Sequence, residues 1–482
     1  MDNEAPPLVV ELSGWRDPAD VLPAFSGSDS VALLCSAGPG QAREEIRRWS
    51  LLCADPFETV AWRCGDGGDP LCGLVDAVTR YRVAAGAEWP FAGGAVGWIG
   101  YDVARSIESI PARAALAHGY PDLYFGLHAA AIAWDHLRRR WAIVATGLPH
   151  AGRAQVEAQR DQAEALREAV EALPAKQEPP VPDEERPDPR ELIEGTSLPR
   201  AAYLDRVESA RALIAAGDLY QVNLTQRLEL APPSDPVALF QALCSTAPAP
   251  FAAYVAAPGV RVISSSPERF LRLRRGRAES RPIKGTRPRG EDPARDARLL
   301  ADLTSSAKDR AENVMIVDLV RNDLGRVCIP GSVTTRDLCA VESYASVHHL
   351  VSCVEGELRP DVDRAGLLRA LFPGGSMTGA PKLGAMRVIE QLEPVRRGVY
   401  AGALGYLSFD GGMDLSIVIR TAVIEQRRCF LSVGGGVVAD SDPALEHAES
   451  LHKAASVLRA LAACRSARRR QGTRTAHHRS GR

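Results

Sequence analysis

From residue 1 to about 150, short apolar runs such as "SVALLCS" and "WAIVATG" alternate with glycine-rich turns, notably "WPFAGGAVGWIGYDVAR" at 89–105. Such runs bounded by turn signals predict strands, so this region reads as sheet. A polar helical period follows in "GRAQVEAQRDQAEALREAVEAL" and gives way to "PAKQEPPVPDEERPDPRE", whose prolines and charges cannot build a core. Beyond it, "AAYLDRVESARALIAAGD" spaces its apolar residues as a helix does and stops at Gly217, whereas "LYQVNLTQRLEL" alternates as a strand does. Strands mixed with helices continue to about residue 462. The final "CRSARRRQGTRTAHHRSGR" is basic and poor in apolar residues, which predicts a disordered tail. The expected organisation is an N-terminal region 1–173, a linker 174–191, a second region 192–463 and a tail 464–482.

Composition narrows the function. A chain of 482 residues with 45% hydrophobic content can bury a large interior. Its 58 Lys+Arg against 60 Asp+Glu leave a net charge of -2, which makes no global electrostatic case for nucleic acid or a membrane surface. The acidic start "MDNEAPPLVVELSG" lacks the features of a signal peptide, and no apolar run could span a bilayer, so a cytoplasmic enzyme is expected. The 10 cysteines form no CxxC pair, and Cys64 and Cys72 lack partner ligands nearby in sequence; they read as reduced thiols.

Candidate chemistry concentrates after residue 200. In "TSSAKDRAENVMIVDLVRNDLGRV", Asp309 and Glu312 share a helix face, and in "SDPALEHAESLHKAASVLRAL" so do Glu446, Glu449 and Lys453. Solvated helix surface is one reading of these carboxylates; a hard cation such as Mg²⁺, completed by waters and an anionic ligand, is the other. "LFPGGSMTGAPKLGAMRVIEQLEP" sets Ser376 among glycines directly before a helical pattern, whose first amides could hold an anion. Gly434, Gly435 and Gly436 in "LSVGGGVVADSD" would let a ligand approach the main chain. Arg420 in the strand-like "DLSIVIRTAVI" needs a carboxylate partner or ligand if buried, and His349 in "SVHHLVSCVEGEL" is either structural or ligand-facing. Neither Gly-rich stretch matches a nucleotide fingerprint. The set suggests a small substrate bearing carboxylates.

The stretches "GDLYQVNLTQR", "SSSPERF", "PIKGTRPRG", "AENVMIVDLVRNDLG", "SVHHLVS", "FPGGSMTGAPK" and "GGGVVADSDPALEHAESLHKA" together resemble the chorismate-utilising enzymes, and "FAGGAVGWIGYDVAR" extends the likeness into the N-terminal half. Within that family the pattern looks most like the aminodeoxychorismate synthase component I branch. Lys284 in "PIKGT" carries this distinction, because anthranilate synthase large subunits typically have alanine there. Gln221 stands where relatives that add water tend to have lysine. The resemblance implies an α+β fold of two facing antiparallel β-sheets with helices outside and interleaved halves. It implies Mg²⁺ held by Glu312 and Glu449, with Asp309 and Glu446 in support, and Glu268 as general acid beside the nucleophile Lys284. His349, Ser376, Tyr400, Arg420, Gly434, Gly435, Gly436 and Lys453 would line the chorismate pocket. The chain has no GxCxGxQ motif, so a separate glutaminase subunit would supply ammonia from glutamine, and 4-aminobenzoate and folate formation would be the destination. "SVALLCS" resembles the tryptophan-lining stretch of feedback-regulated relatives, with Cys35 in place of a glutamate, which implies at most a structurally bound tryptophan. The alternatives are an anthranilate synthase component I and a non-catalytic chorismate- or tryptophan-binding protein.

Overall fold

The computed structural model describes residues 6–36, 44–83, 88–174, 188–345 and 347–479, with side chains described as far as Cys464. Most of the expected linker, 175–187, lies outside the described residues. Among the described residues the strands form two sheets, of 12 and 10 strands. Every named pairing is antiparallel, for example Gln221–Leu230 with Arg428–Val437, and Gly94–Ile99 with Ala403–Ser408.

Both faces of the larger sheet are covered, and this explains its unbroken apolar runs. In Val31–Cys35, Ala32 points into the core between the sheets, while Leu33 joins a second core beneath the outer helices. Leu51 and Leu52 of Trp49–Ala54 divide in the same way. Alternate residues of a strand face opposite sides, so a strand buried on both must be apolar throughout. Outer helices include Gly152–Glu171 and Arg200–Ala215; the latter is followed by Gly217 at φ +85, a left-handed conformation that glycine adopts without steric cost.

The two halves of the chain share both sheets. Leu8–Glu11, Val31–Cys35, Trp49–Ala54, Ala130–Asp135 and Arg140–Ala145 lie in the larger sheet beside strands from after residue 190. Glu58–Trp62, Gly94–Ile99 and Leu123–His128 do the same in the smaller one.

Three local expectations change. "DLSIVIRTAVI" is not one strand: Met413–Ile417 belongs to the smaller sheet and Thr421–Glu425 to the larger. Arg420 sits in the crossover at φ 51, near enough to Glu268 for the two charges to interact. The run "GGSMTGAPK" does not lead straight into a long helix. A short helix, Gly375–Thr378, is followed by a bridge, Gly379–Ala380, paired to Gln221 and Val222, and only then by the helix Lys382–Leu392. The last helix, Pro443–Arg479, carries on through the basic run where an irregular tail was expected; that run contains good helix formers and no proline. No helix among the described residues is long and apolar enough to cross a membrane.

Candidate active site

Lys284 lies on the strand Ile283–Pro288, half-buried, with Nζ 3.4 Å from the Ser376 carbonyl oxygen. Burial lowers its pKa; Glu312 and Glu268 oppose this and Lys453 reinforces it, leaving the amine below its ordinary value. The three arginines near it in sequence are each paired with a carboxylate. Arg281 pairs with Glu342, Arg287 with Asp302 and Asp309, and Arg289 with Asp296, so the basic stretch meets the protein's own carboxylates.

Glu268 is 5% exposed, and its pKa is pushed up to about 7. Burial is the cause, partly offset by a hydrogen bond from the Ser376 hydroxyl and by the charge of Lys284. A small cavity beside it is lined by Phe270, Ile316, Val320 and Ile417 together with Arg269, Asp323 and Ser376. Arg420 is half-buried, and its guanidinium makes no hydrogen bond or ion pair among the described residues. His349 is buried on the strand Val347–Glu357, with Nδ1 2.8 Å from Thr286 Oγ1 and Nε2 unpartnered. Burial, then the charge of Arg420, lowers its pKa to about 3, so the ring is neutral.

The carboxylates come from two helices. Ser306 caps Ala307–Gly325 by accepting from the Asp309 amide, which sets the register that carries Glu312 into the cleft. Asp309 itself accepts from Arg287 at 3.1 Å, so that oxygen is engaged by the guanidinium. Glu446 and Glu449 rise from the final helix toward Gly435, where a Cβ would stand 3.0 Å from Glu446 Oε2 and 3.8 Å from Glu449 Oε1. Burial, then Asp309 and Glu449, raises the Glu312 pKa, although Lys284 and Lys308 oppose this. Burial would raise Glu449 too, but Lys453, Lys284 and Lys308 hold it below its ordinary value. Lys453 bonds both Glu449 Oε1 and the Gly434 carbonyl at 2.9 Å. Glu312, Glu446 and Glu449 do not bring three ligand atoms within 4.8 Å of one another; Glu312 and Glu449, with Glu446 beside them, are the carboxylates that a Mg²⁺ ion keeping several waters and taking a ligand anion would use.

Gly434, Gly435 and Gly436 lie within the strand Arg428–Val437, opposite Thr225, Leu224 and Asn223. Gly434 is needed for close packing of the protein on itself, since a Cβ there would meet the Leu224 carbonyl at 2.1 Å, whereas one at Gly436 would meet the side-chain end of Gln221, Nε2, at 2.1 Å. Tyr400 is buried and stands slightly apart, lining a small cavity with Arg397, Tyr120 and Thr421.

Sequence reasoning missed Lys308, whose charge reaches Glu312, Glu446 and Glu449. On the polar face of Gln221–Leu230 it marked Gln221 and missed Asn223 and Thr225. Asn223 Nδ2 donates to the Ser376 carbonyl at 3.0 Å, and Gln221 leaves both amide atoms unpartnered. Gln221, Asn223 and Thr225 alternate with Val222 and Leu224, which pack in a separate apolar core; a buried strand with one polar face is the signal that could have found them. Elsewhere, a larger pocket beside the expected tryptophan stretch is lined by Cys35, Ser36, Pro250, Phe251, Tyr406 and Asp414.

Residues 43–459 match the chorismate binding enzyme family, and the chain belongs to that family. Among its curated relatives, the aminodeoxychorismate synthase component 1 of Klebsiella aerogenes is 43% identical over 372 residues, which cover 77% of this chain and 78% of the relative. The anthranilate synthase component 1 of Streptomyces coelicolor is 38% identical over 463 residues, covering 95% and 89%. The crystal structure of anthranilate synthase component I from Streptococcus pneumoniae superposes with a TM-score of 0.74 at 31% identity, over 85% of this chain and 92% of that one.

Proposed function

We propose that the chain is a component I enzyme that aminates chorismate to 4-amino-4-deoxychorismate, the precursor of 4-aminobenzoate. The single observation that carries this reading is Lys284. Its amine, less basic than an ordinary lysine, reaches the Ser376 carbonyl inside a cleft where Glu268 supplies a carboxyl with a pKa of about 7. An anthranilate-forming site has no use for a nucleophile at that position, and a binding module has no use for a poised acid.

In the reaction we infer, Glu268 gives a proton to the departing ring hydroxyl, which leaves as water, while neutral Lys284 Nζ bonds to the ring. Ammonia then adds and the carbon–nitrogen bond to Lys284 breaks, returning the lysine with the proton balance carried by Glu268 and solvent. Arg420, lacking a protein partner, takes a carboxylate of the substrate, and neutral His349 presents Nε2 to the ring. Mg²⁺ bound by Glu312 and Glu449, with Glu446 in support, would neutralise the ring carboxylate. Lys453 holds Glu449 in place, and Asp309 anchors Arg287.

Ammonia would come from a glutaminase partner, and free ammonium would serve in its absence. The pocket at Cys35 and Phe251 is where a structural tryptophan would sit, without control of activity; inhibition by micromolar tryptophan would contradict that part of the reading. Lys284→Ala, assayed with chorismate, Mg²⁺ and ammonium, is expected to lose about a hundredfold or more of the amination rate. Retention of full activity and the same product would exclude the nucleophile role.

A further inference from the structure

Away from the cleft, a buried cluster lies at one end of three adjacent strands of the smaller sheet. Glu58–Trp62 ends just before Cys64, Gly94–Ile99 ends just before Asp102, and Leu123–His128 begins just after Asp122. The pairings Trp62↔Leu123 and Ile99↔Leu123 bring these ends together. His118, in the loop leading to Asp122, completes the group. One ligand atom each from Asp102, His118 and Asp122 lies within 4.8 Å of the others. The three side chains are almost wholly enclosed, at 1%, 2% and 3% exposure.

The hydrogen-bond accounting at this cluster does not close. His118 Nδ1 is 3.2 Å from the Tyr120 carbonyl oxygen, an acceptor, so Nδ1 donates there and Nε2 is the ring atom left for another partner. Nε2 lies 3.6 Å from Asp122 Oδ1, and neither atom has a hydrogen-bond partner. Asp122 Oδ2 accepts from the Cys64 amide at 2.8 Å, and no lysine or arginine side chain hydrogen-bonds this carboxylate among the described residues. Asp102 differs in having Arg105 Nε and the Gly398 amide at 2.9 Å, one on each oxygen, which leaves a further lone pair on each. A separation of 3.6 Å is too long for a hydrogen bond, but it is close to the roughly 3.4 Å expected between two donors that share one tetrahedral zinc.

We propose that Asp102, His118 and Asp122 form a second metal site, distinct from the Mg²⁺ carboxylates, that takes a divalent transition-metal ion of the zinc class with water in the remaining position. The imidazole selects against Mg²⁺, which prefers an all-oxygen shell. The Cys64 amide orients Asp122, and the Tyr120 carbonyl orients His118, as outer partners orient metal ligands. The ion ties the 118–122 loop to the turn before Tyr400: Gly398 donates to Asp102, and a Cβ at Gly398 would lie within 3.3 Å of the His118 ring.

The test uses the full chain, freed of metal with a chelator, in a Glu312→Gln, Glu449→Gln background that removes the Mg²⁺ ligands. Co²⁺ is titrated while visible absorption and melting temperature are followed. One equivalent is expected to bind, with the intense bands of a four- or five-coordinate ion and a rise in melting temperature. Adding Asp122→Asn should weaken binding about tenfold or more. If that variant does not fold, X-ray absorption on the Co²⁺-loaded background chain must show one imidazole among oxygen ligands. Absence of Co²⁺ binding at micromolar metal, an octahedral all-oxygen spectrum, or affinity unchanged by Asp122→Asn would overturn the proposal.

Discussion

Glu268 couples function to stability. Its folded pKa of about 7 stands above the ordinary 4.5, so between those values the folded chain holds a proton that the unfolded chain has released. Its contribution is therefore full below about 4.5 and is lost as pH rises through 7, a loss on the order of 3 kcal/mol by proton linkage. Glu268→Gln removes the titration. Above pH 7 the variant should melt higher than the parent, with the gap closing toward pH 4.5, while amination falls by about 10²–10⁴. A melting difference independent of pH would contradict the burial argument. The same side chain should give amination an alkaline limb near pH 7, because the proton donor is the neutral form.

The paired strands Gln221–Leu230 and Arg428–Val437 show how one element serves packing and chemistry at once. Gly434→Ala would drive a Cβ into the Leu224 backbone at 2.1 Å, so it should cost about 3 kcal/mol or more of stability. Gly435→Ala meets only the flexible end of Glu446 at 3.0 Å, so the fold should survive while the Mg²⁺ concentration needed for activity rises. Thermal melts and Mg²⁺ titrations of the two variants separate these effects. The glycines were visible in the sequence, but their cause was not: close approach of a neighbouring strand is a pairing property, and pairing partners here are some 210 residues apart by register. The helix faces bearing Glu312 and Glu449 were legible because i, i+3 and i+4 spacing is local. Arg420 was misread as a strand residue, because an apolar run does not reveal where the chain changes sheets. The partners of Arg281, Arg287 and Arg289 were hidden for the same reason: Glu342, Asp302 and Asp296 meet them only in the folded chain. Lys308 was not legible, since one lysine beside acidic residues looks like ordinary helix surface.

Across the whole molecule, the cleft depends on a fold whose two halves contribute strands to both sheets. Its polar lining is drawn from Ile283–Pro288, Val347–Glu357, the Gly375–Thr378 turn, the Arg420 crossover and two helices, all held in register by cores that include N-terminal residues such as Trp98 and Phe125. The motif order alone was sufficient to anticipate two facing antiparallel sheets, because the resemblance extended into the N-terminal half. The burial that makes Glu268 a weak acid and Lys284 a weak base needed the assembled molecule.

The central claim is that Lys284 directs amination away from anthranilate. The most direct measurement incubates the purified chain with chorismate, Mg²⁺ and an ammonium salt at a pH just below 7, and identifies products by mass spectrometry with and without an added lyase. An aminated chorismate that keeps its enolpyruvyl group, and that the lyase converts to 4-aminobenzoate, is the predicted result. Accumulation of fluorescent anthranilate would contradict it.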